Sequence, residues 1–135
     1  MTDEKQLKTL RNNLRHEVGK YRKRLFKIER YGLEFHFNRM SINKMGCIKS
    51  VNNSIHNGFT ASEHFEAAEN IKDLFENSEL YARNYHRKKD GTLETHSYCV
   101  CKIHDNVFAN MNLVTWDNNG RREGYIDLYL SKEVE

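Results

Sequence analysis

Proline is absent from the 135 residues, cysteine occurs three times, and tryptophan once. Without proline there is no proline-rich linker, and neither an internal repeat nor a low-complexity tract divides the chain. No run approaches the ~20 apolar residues that span a bilayer, and no charged-then-apolar signal segment opens the sequence, so the expected compartment is the cytoplasm, with no membrane contact. An odd, small number of cysteines (Cys47, Cys99 and Cys101) fits reduced thiols there. No Walker loop, no nucleophile elbow and no dinucleotide fingerprint is present, which removes the common nucleotide-binding and hydrolase classes.

What is present is a charge asymmetry. Residues 1–32 hold ten Lys/Arg against four Asp/Glu, a local +6, whereas the remainder holds twelve against fifteen, or −3. A basic arm on a mildly acidic body points to a polyanionic or acidic partner, and equally to a plain solvated helix face. Leu7, Leu14, Tyr21 and Ile28 recur every seven residues, with Leu10, Val18 and Leu25 beside them. This spacing predicts one long helix from about Thr2 to Tyr31, ended by Gly32. A stripe of this length needs the body or a second copy of itself, so a homodimer through the helix is one expectation. The division expected is a basic helix over 1–32 and a domain over 33–135.

"LEFHF" alternates as a short strand. The Ser-, Asn- and Gly-containing stretch after it reads as loop and short helical turns. "TASEHFEAAENIKDLFEN" reads as a helix, with Thr60 and Glu63 as its capping box and Phe65, Ala68, Ile71, Leu74 and Phe75 on one apolar face. The turn signal "RKKDGT" then leads into three alternating runs, 94–103, 107–116 and 124–131, joined by hairpin-like loops. The expected fold class is α+β, with helices packed on one face of a small antiparallel sheet.

"ETHSYCVCKIH" (residues 94–104) decides how that sheet is used. Two cysteines and two histidines in eleven positions invite a zinc reading, yet alternation puts Cys99 and Cys101 on one face and His96 and His104 on the other. A flat strand cannot offer all four to one tetrahedral ion, so no metal and no cofactor is expected. A redox pair is weaker still, because two thiols on a strand lack the helix N-terminus that activates them. Cys99, Cys101 and Ile103 therefore read as a buried set. His96, Tyr98, Val100 and Lys102 share the other face with Trp116, Tyr125, Asp127 and Tyr129. Such a face offers rings for base stacking, an imidazole and a cation, although aromatic cross-strand pairs also stabilise sheets that bind nothing.

The run "NSIHNGFTASEHFEAAENIKDLFENSEL", the basic "NYHRKKDGTLETHSY" and the final "GYIDLYL" resemble the barnase–EndoU–colicin–RelE-like nuclease domains of phages and of large polyvalent proteins of mobile elements. The resemblance covers about residues 33–131 and leaves the basic helix outside. It implies helices followed by a small antiparallel sheet, a cleft on the face away from the helices, and RNA cleavage. It marks His64 within "EHF", which otherwise reads as a packed or solvated residue of a helix start.

Metal-free cleavage needs a base near the 2′-hydroxyl, an acid near the leaving oxygen and a cation for the phosphorane. The catalytic candidates are His96, Lys102 and Tyr125, with His64 second to them. Arg87, Lys88, Tyr98, Trp116 and Tyr129 are the candidates for holding nucleic acid. The leading expectation is a toxin-like, metal-independent endoribonuclease of a phage or mobile element, with RNA as partner and room for a protein inhibitor. The alternative is a non-catalytic counter-defence or regulatory protein using the same face, and its support is that no His–His or His–Glu pair is seen to converge on one strand.

Overall fold

A computed structural model describes residues 3–133. The first helix, α1, runs Glu4–Val18, capped by Asp3, whose side chain accepts the Lys5 N–H. The stripe it buries is Leu7, Leu14 and Val18. The helix predicted to Tyr31 stops thirteen residues short of that (Thr2, its expected start, lies outside the described residues). A 3-10 turn covers Gly19–Tyr21, Lys23 takes a positive φ of 69°, and the chain reverses. Leu25–Ile28 is then strand β1, pairing antiparallel with β2, Leu33–His36. Phe26 and Ile28 are buried while Leu25 and Lys27 are exposed, a period of two. The seven-residue spacing to Ile28 coincides with that alternation, which is why it read as helix.

The stretch read as loop and short helical turns forms two helices, α2 (Arg39–Met45) and α3 (Ile48–His56). Asn38 caps α2 by accepting the Ser41 N–H. The capping box forms as expected: Thr60 Oγ1 accepts the Glu63 N–H and Glu63 accepts the Thr60 N–H. The helix behind it breaks at Asn70 into α4 (Ala61–Glu69) and α5 (Ile71–Glu76). Phe65, Ala68, Ile71 and Phe75 are buried.

Four strands follow: β3 (Glu79–Arg87), β4 (Leu93–His104), β5 (Val107–Asn118) and β6 (Arg121–Ser131), an antiparallel meander in that spatial order. The first was not read from sequence. Asn119 and Gly120, both at positive φ, make the tight turn between β5 and β6. The fold is α+β. The helices and the β1–β2 hairpin cover one face of the sheet, and Phe26, Phe35, Phe37 and Phe75 pack ring to ring between the layers, with centroids 4.8–6.4 Å apart. Among the described residues no helix is long and apolar enough to cross a membrane.

The outer edge of β6 is sealed by side chains. Ser41 Oγ accepts the Ile126 N–H (3.0 Å) and Ser54 Oγ accepts the Leu130 N–H (2.9 Å). Asn38 donates to the Gly124 carbonyl and Asn57 to that of Leu130. An edge strand left bare would template pairing with another chain. Here α2 and α3 stand along it instead, and they form a rim beside the uncovered face.

Candidate functional site

Alternation along β4 holds as far as Lys102, but Ile103, expected in the buried set, is exposed beside the bulge that ends the strand. Ser97 and Cys99 are buried beneath the helices, with Cys101 half-buried on the same side. Burial pushes the Cys99 thiol up to about 11, which keeps it protonated and unreactive. Among the described residues no group of three or more His, Cys, Asp or Glu is placed to hold a metal ion.

The uncovered face carries His96, Tyr98, Val100 and Lys102 of β4, but it is partly closed over by its own side chains. Val114 and Asn110 are buried on it. Its polar centre is a pair that the sequence reading missed: Glu94 and His96, two apart on one strand, lie on the same face. His96 Nε2 is 3.4 Å from Glu94 Oε1. The expectation that no His–Glu pair converges on a strand is thereby corrected. The reason is simple: Glu94 sits at the first position of the run, where it read as strand boundary rather than face. Period-two spacing was the signal that could have found it.

Both members are half-buried, with side chains 24% and 16% exposed, so the contact is only partly screened by water. Lys88 Nζ lies 3.7 Å from the other Glu94 oxygen, Oε2. On the far side of the imidazole, Asn112 Nδ2 is 3.5 Å from His96 Nδ1, while Asn112 Oδ1 is buried with no hydrogen-bond partner. A half-turn of that amide exchanges donor for acceptor. The residue can therefore face either a neutral imidazole or an imidazolium.

Around this centre stand the rings. His96 and Tyr98 stack with centroids 6.4 Å apart, and Tyr81 of β3 lies 6.4 Å from Tyr98. Trp116 meets Tyr125 edge to face at 6.1 Å. Tyr125 is paired through Val114 to the row of His96. Burial, with Glu94 and Asp127 nearby, raises its pKa, so the phenol keeps its proton. Lys44 reaches from α2 to 5.2 Å from the Tyr125 ring. Asp127 accepts from Ser50 of α3 and from the Leu128 N–H. Tyr129 lies further along the same face.

The other predicted residues fall elsewhere. Lys102 is six positions from His96, about 20 Å along β4. It pairs with Asp105 at 3.6 Å, beside the bulge that ends the strand. Arg87 pairs with Leu93 in the β3–β4 register, on the side of Ser97 and Cys99, and donates to the Gly91 carbonyl. Lys88 alone of the basic turn reaches the face. His64 is fully buried on the far side of the sheet, its Nε2–H donating to the Met45 carbonyl and its Nδ1 accepting from Ser54 Oγ, both at 2.7 Å. Its burial and these two bonds give it a place in the core and no access to a ligand on the uncovered face.

The fold and face define a small α+β domain that presents a polar, aromatic-rimmed sheet surface. A family model described as large polyvalent protein-associated domain 3 matches residues 5–125, and the chain belongs to that family. The match takes in α1, which the sequence resemblance had left outside. It supports the large polyvalent protein-associated part of that resemblance and not its nuclease fold. No curated protein and no solved structure matches the chain.

Proposed function

We propose that the uncovered sheet face binds single-stranded RNA and cleaves it without a metal ion. The observation that carries this reading is the Glu94–His96 pair, a carboxylate and an imidazole 3.4 Å apart beneath stacking rings. Glu94 takes the proton of a ribose 2′-hydroxyl, the 2′-oxygen attacks phosphorus, and the imidazolium of His96 protonates the departing 5′-oxygen. The products are a 2′,3′-cyclic phosphate and a free 5′-hydroxyl. Lys88 and Lys44 stand on two sides to neutralise the phosphorane oxygens, with Tyr125 as a hydrogen-bond donor. Tyr98 and Trp116 are the stacking platforms, each contributing about 1–3 kcal/mol per base. Lys102, remote from the pair, contacts backbone phosphate only. This is the chemistry of a toxin-like endoribonuclease of a phage or mobile element.

The test is labelled RNA incubated with pure protein in EDTA, the ends of the fragments then being identified. Cleavage to cyclic phosphate ends is expected, falling about 10²–10⁴-fold in Glu94→Gln and in His96→Ala, and far less in Lys102→Ala. RNA left intact by every protein removes the enzymatic reading. Salt-dependent retardation of uncleaved RNA would then identify a non-catalytic binding protein using the same surface.

A further inference from the structure

The basic residues of the N-terminal region are not spread round one solvated helix. Because α1 stops at Val18 and the chain turns back, arginines from three segments converge: Arg15 on α1, Arg22 in the turn after it, and Arg39 at the start of α2. They line a groove of about 380 Å³ together with Asn43. The groove holds no carboxylate, and among the described residues none of the three arginines forms an ion pair. Neighbouring hollows extend it along α1 past Arg11 to Lys8, the first acid met being Glu4 at the far end. Glu17, the other acid of α1, lines none of these hollows and lies near Glu69, whose pKa is raised by burial first and by Glu17 second. Arg11 is held by donating from Nε to the Gly46 carbonyl at 2.8 Å, which ties α1 to the end of α2 and fixes the groove's wall.

We propose that this groove is a second nucleic-acid surface, separate from the sheet face, that takes the phosphodiester backbone. Arg15 donates from Nη1 to Asn12 Oδ1 at 3.0 Å, but guanidinium groups without a carboxylate partner repel one another, and an anion laid among them relieves that repulsion. Guanidinium forks match phosphate oxygens in pairs, and positive charge recurring with each turn of α1 matches a chain that repeats its own negative charge. The part lined by the three arginines offers no exposed apolar side chain for anchoring a protein partner, since Ile42 within it is buried. Contacts of this kind position a strand without reading its sequence.

The probe is a fluorescent single-stranded oligodeoxynucleotide, which lacks the 2′-hydroxyl and so stays intact whatever the sheet face does. Its affinity for the full chain is measured by anisotropy across a salt series, beside an Arg15→Ala/Arg22→Ala/Arg39→Ala variant and Ser62→Ala, an exposed position of α4. All three arginines are exposed, so a melting curve verifies that the variant folds. Binding by the parent and at least tenfold weaker binding by the triple variant are expected. The slope of log affinity against log salt should become shallower by about 2, three phosphate contacts at ~0.7 each. Ser62→Ala should bind as the parent does. No binding by the parent, an unchanged slope in the triple variant, or equal displacement of the probe by polyglutamate would overturn the proposal. Cleavage of RNA to cyclic phosphate ends by the triple variant, with binding of this probe weakened, keeps the two surfaces distinct.

Discussion

His64 shows how neighbours fix the state of one side chain. Ser54 Oγ already accepts the Leu130 N–H, so its own proton is free to go to His64 Nδ1, and Nε2–H is left to donate to Met45. Every atom in that chain has one role, and the imidazole is neutral. Burial lowers its pKa from the usual 6.5, against smaller opposing effects of the Met45 carbonyl and Asp127. In the unfolded chain the imidazole titrates near 6.5, so between the folded and unfolded values the unfolded state binds the extra proton. The stability that follows is fully present above about pH 6.5 and declines as pH falls through the gap. Thermal melts from pH 7.5 to 5 should show this decline, and His64→Gln should flatten it while lowering stability throughout. Equal slopes for the two proteins would show that His64 titrates alike folded and unfolded.

At the scale of elements, the least legible stretch of sequence turns out to organise the sheet. Ser41, Ser50 and Ser54 made residues 39–57 look like loop, because serine and asparagine favour turns when their hydroxyls and amides serve the local backbone. Here Ser41 and Ser54 serve a distant one by accepting from β6, while Ser50 is shared between the nearby Lys44 carbonyl and the Asp127 carboxylate of β6. Nothing local distinguishes these uses, so α2 and α3 were hidden for the same reason that β6 could be recognised yet not seen as sealed. The three later strands, the capping box and the inward turn of Cys99 were legible because they rest on alternation and spacing alone. β1 was lost to a coincidence of periods at Ile28. Glu94 was lost because the polar end of a strand looks like its boundary. Replacing Ser54 by Ala strands the Leu130 N–H and His64 Nδ1, a cost of about 1–3 kcal/mol for each buried group left unpaired. Ser41→Ala strands one N–H and should cost less. Urea unfolding beside the exposed control Ser62→Ala, expected within ~0.5 kcal/mol of the parent, measures both. A Ser54→Ala protein as stable as the control would mean that the edge of β6 is satisfied in another way.

For the molecule as a whole the question is whether α1 is a separate basic arm or part of the domain. Its stripe is already used: Leu14 and Val18 are almost wholly inaccessible and belong to the same apolar core as Phe65, Ala68 and the inner residues of β5 and β6. A helix of fifteen residues is marginal alone in water, so α1 owes its structure to that packing. The family match beginning at Lys5 is in keeping with one unit. Tight coupling also places demands on function, because the arginine groove of α1 and α2 and the face of β4–β6 then share a single rigid frame, α2 touching both. Leu14→Ala removes buried side-chain volume and should cost about 2–5 kcal/mol. Trp116, the sole tryptophan, sits on β5 and meets Tyr125 edge to face, so its fluorescence reports the sheet alone. If α1 is integral, the Trp116 transition and the helical signal should move together to lower denaturant in Leu14→Ala, as one cooperative step. A helical signal that melts early while the Trp116 transition stays at the parent's midpoint would instead make α1 an appended element.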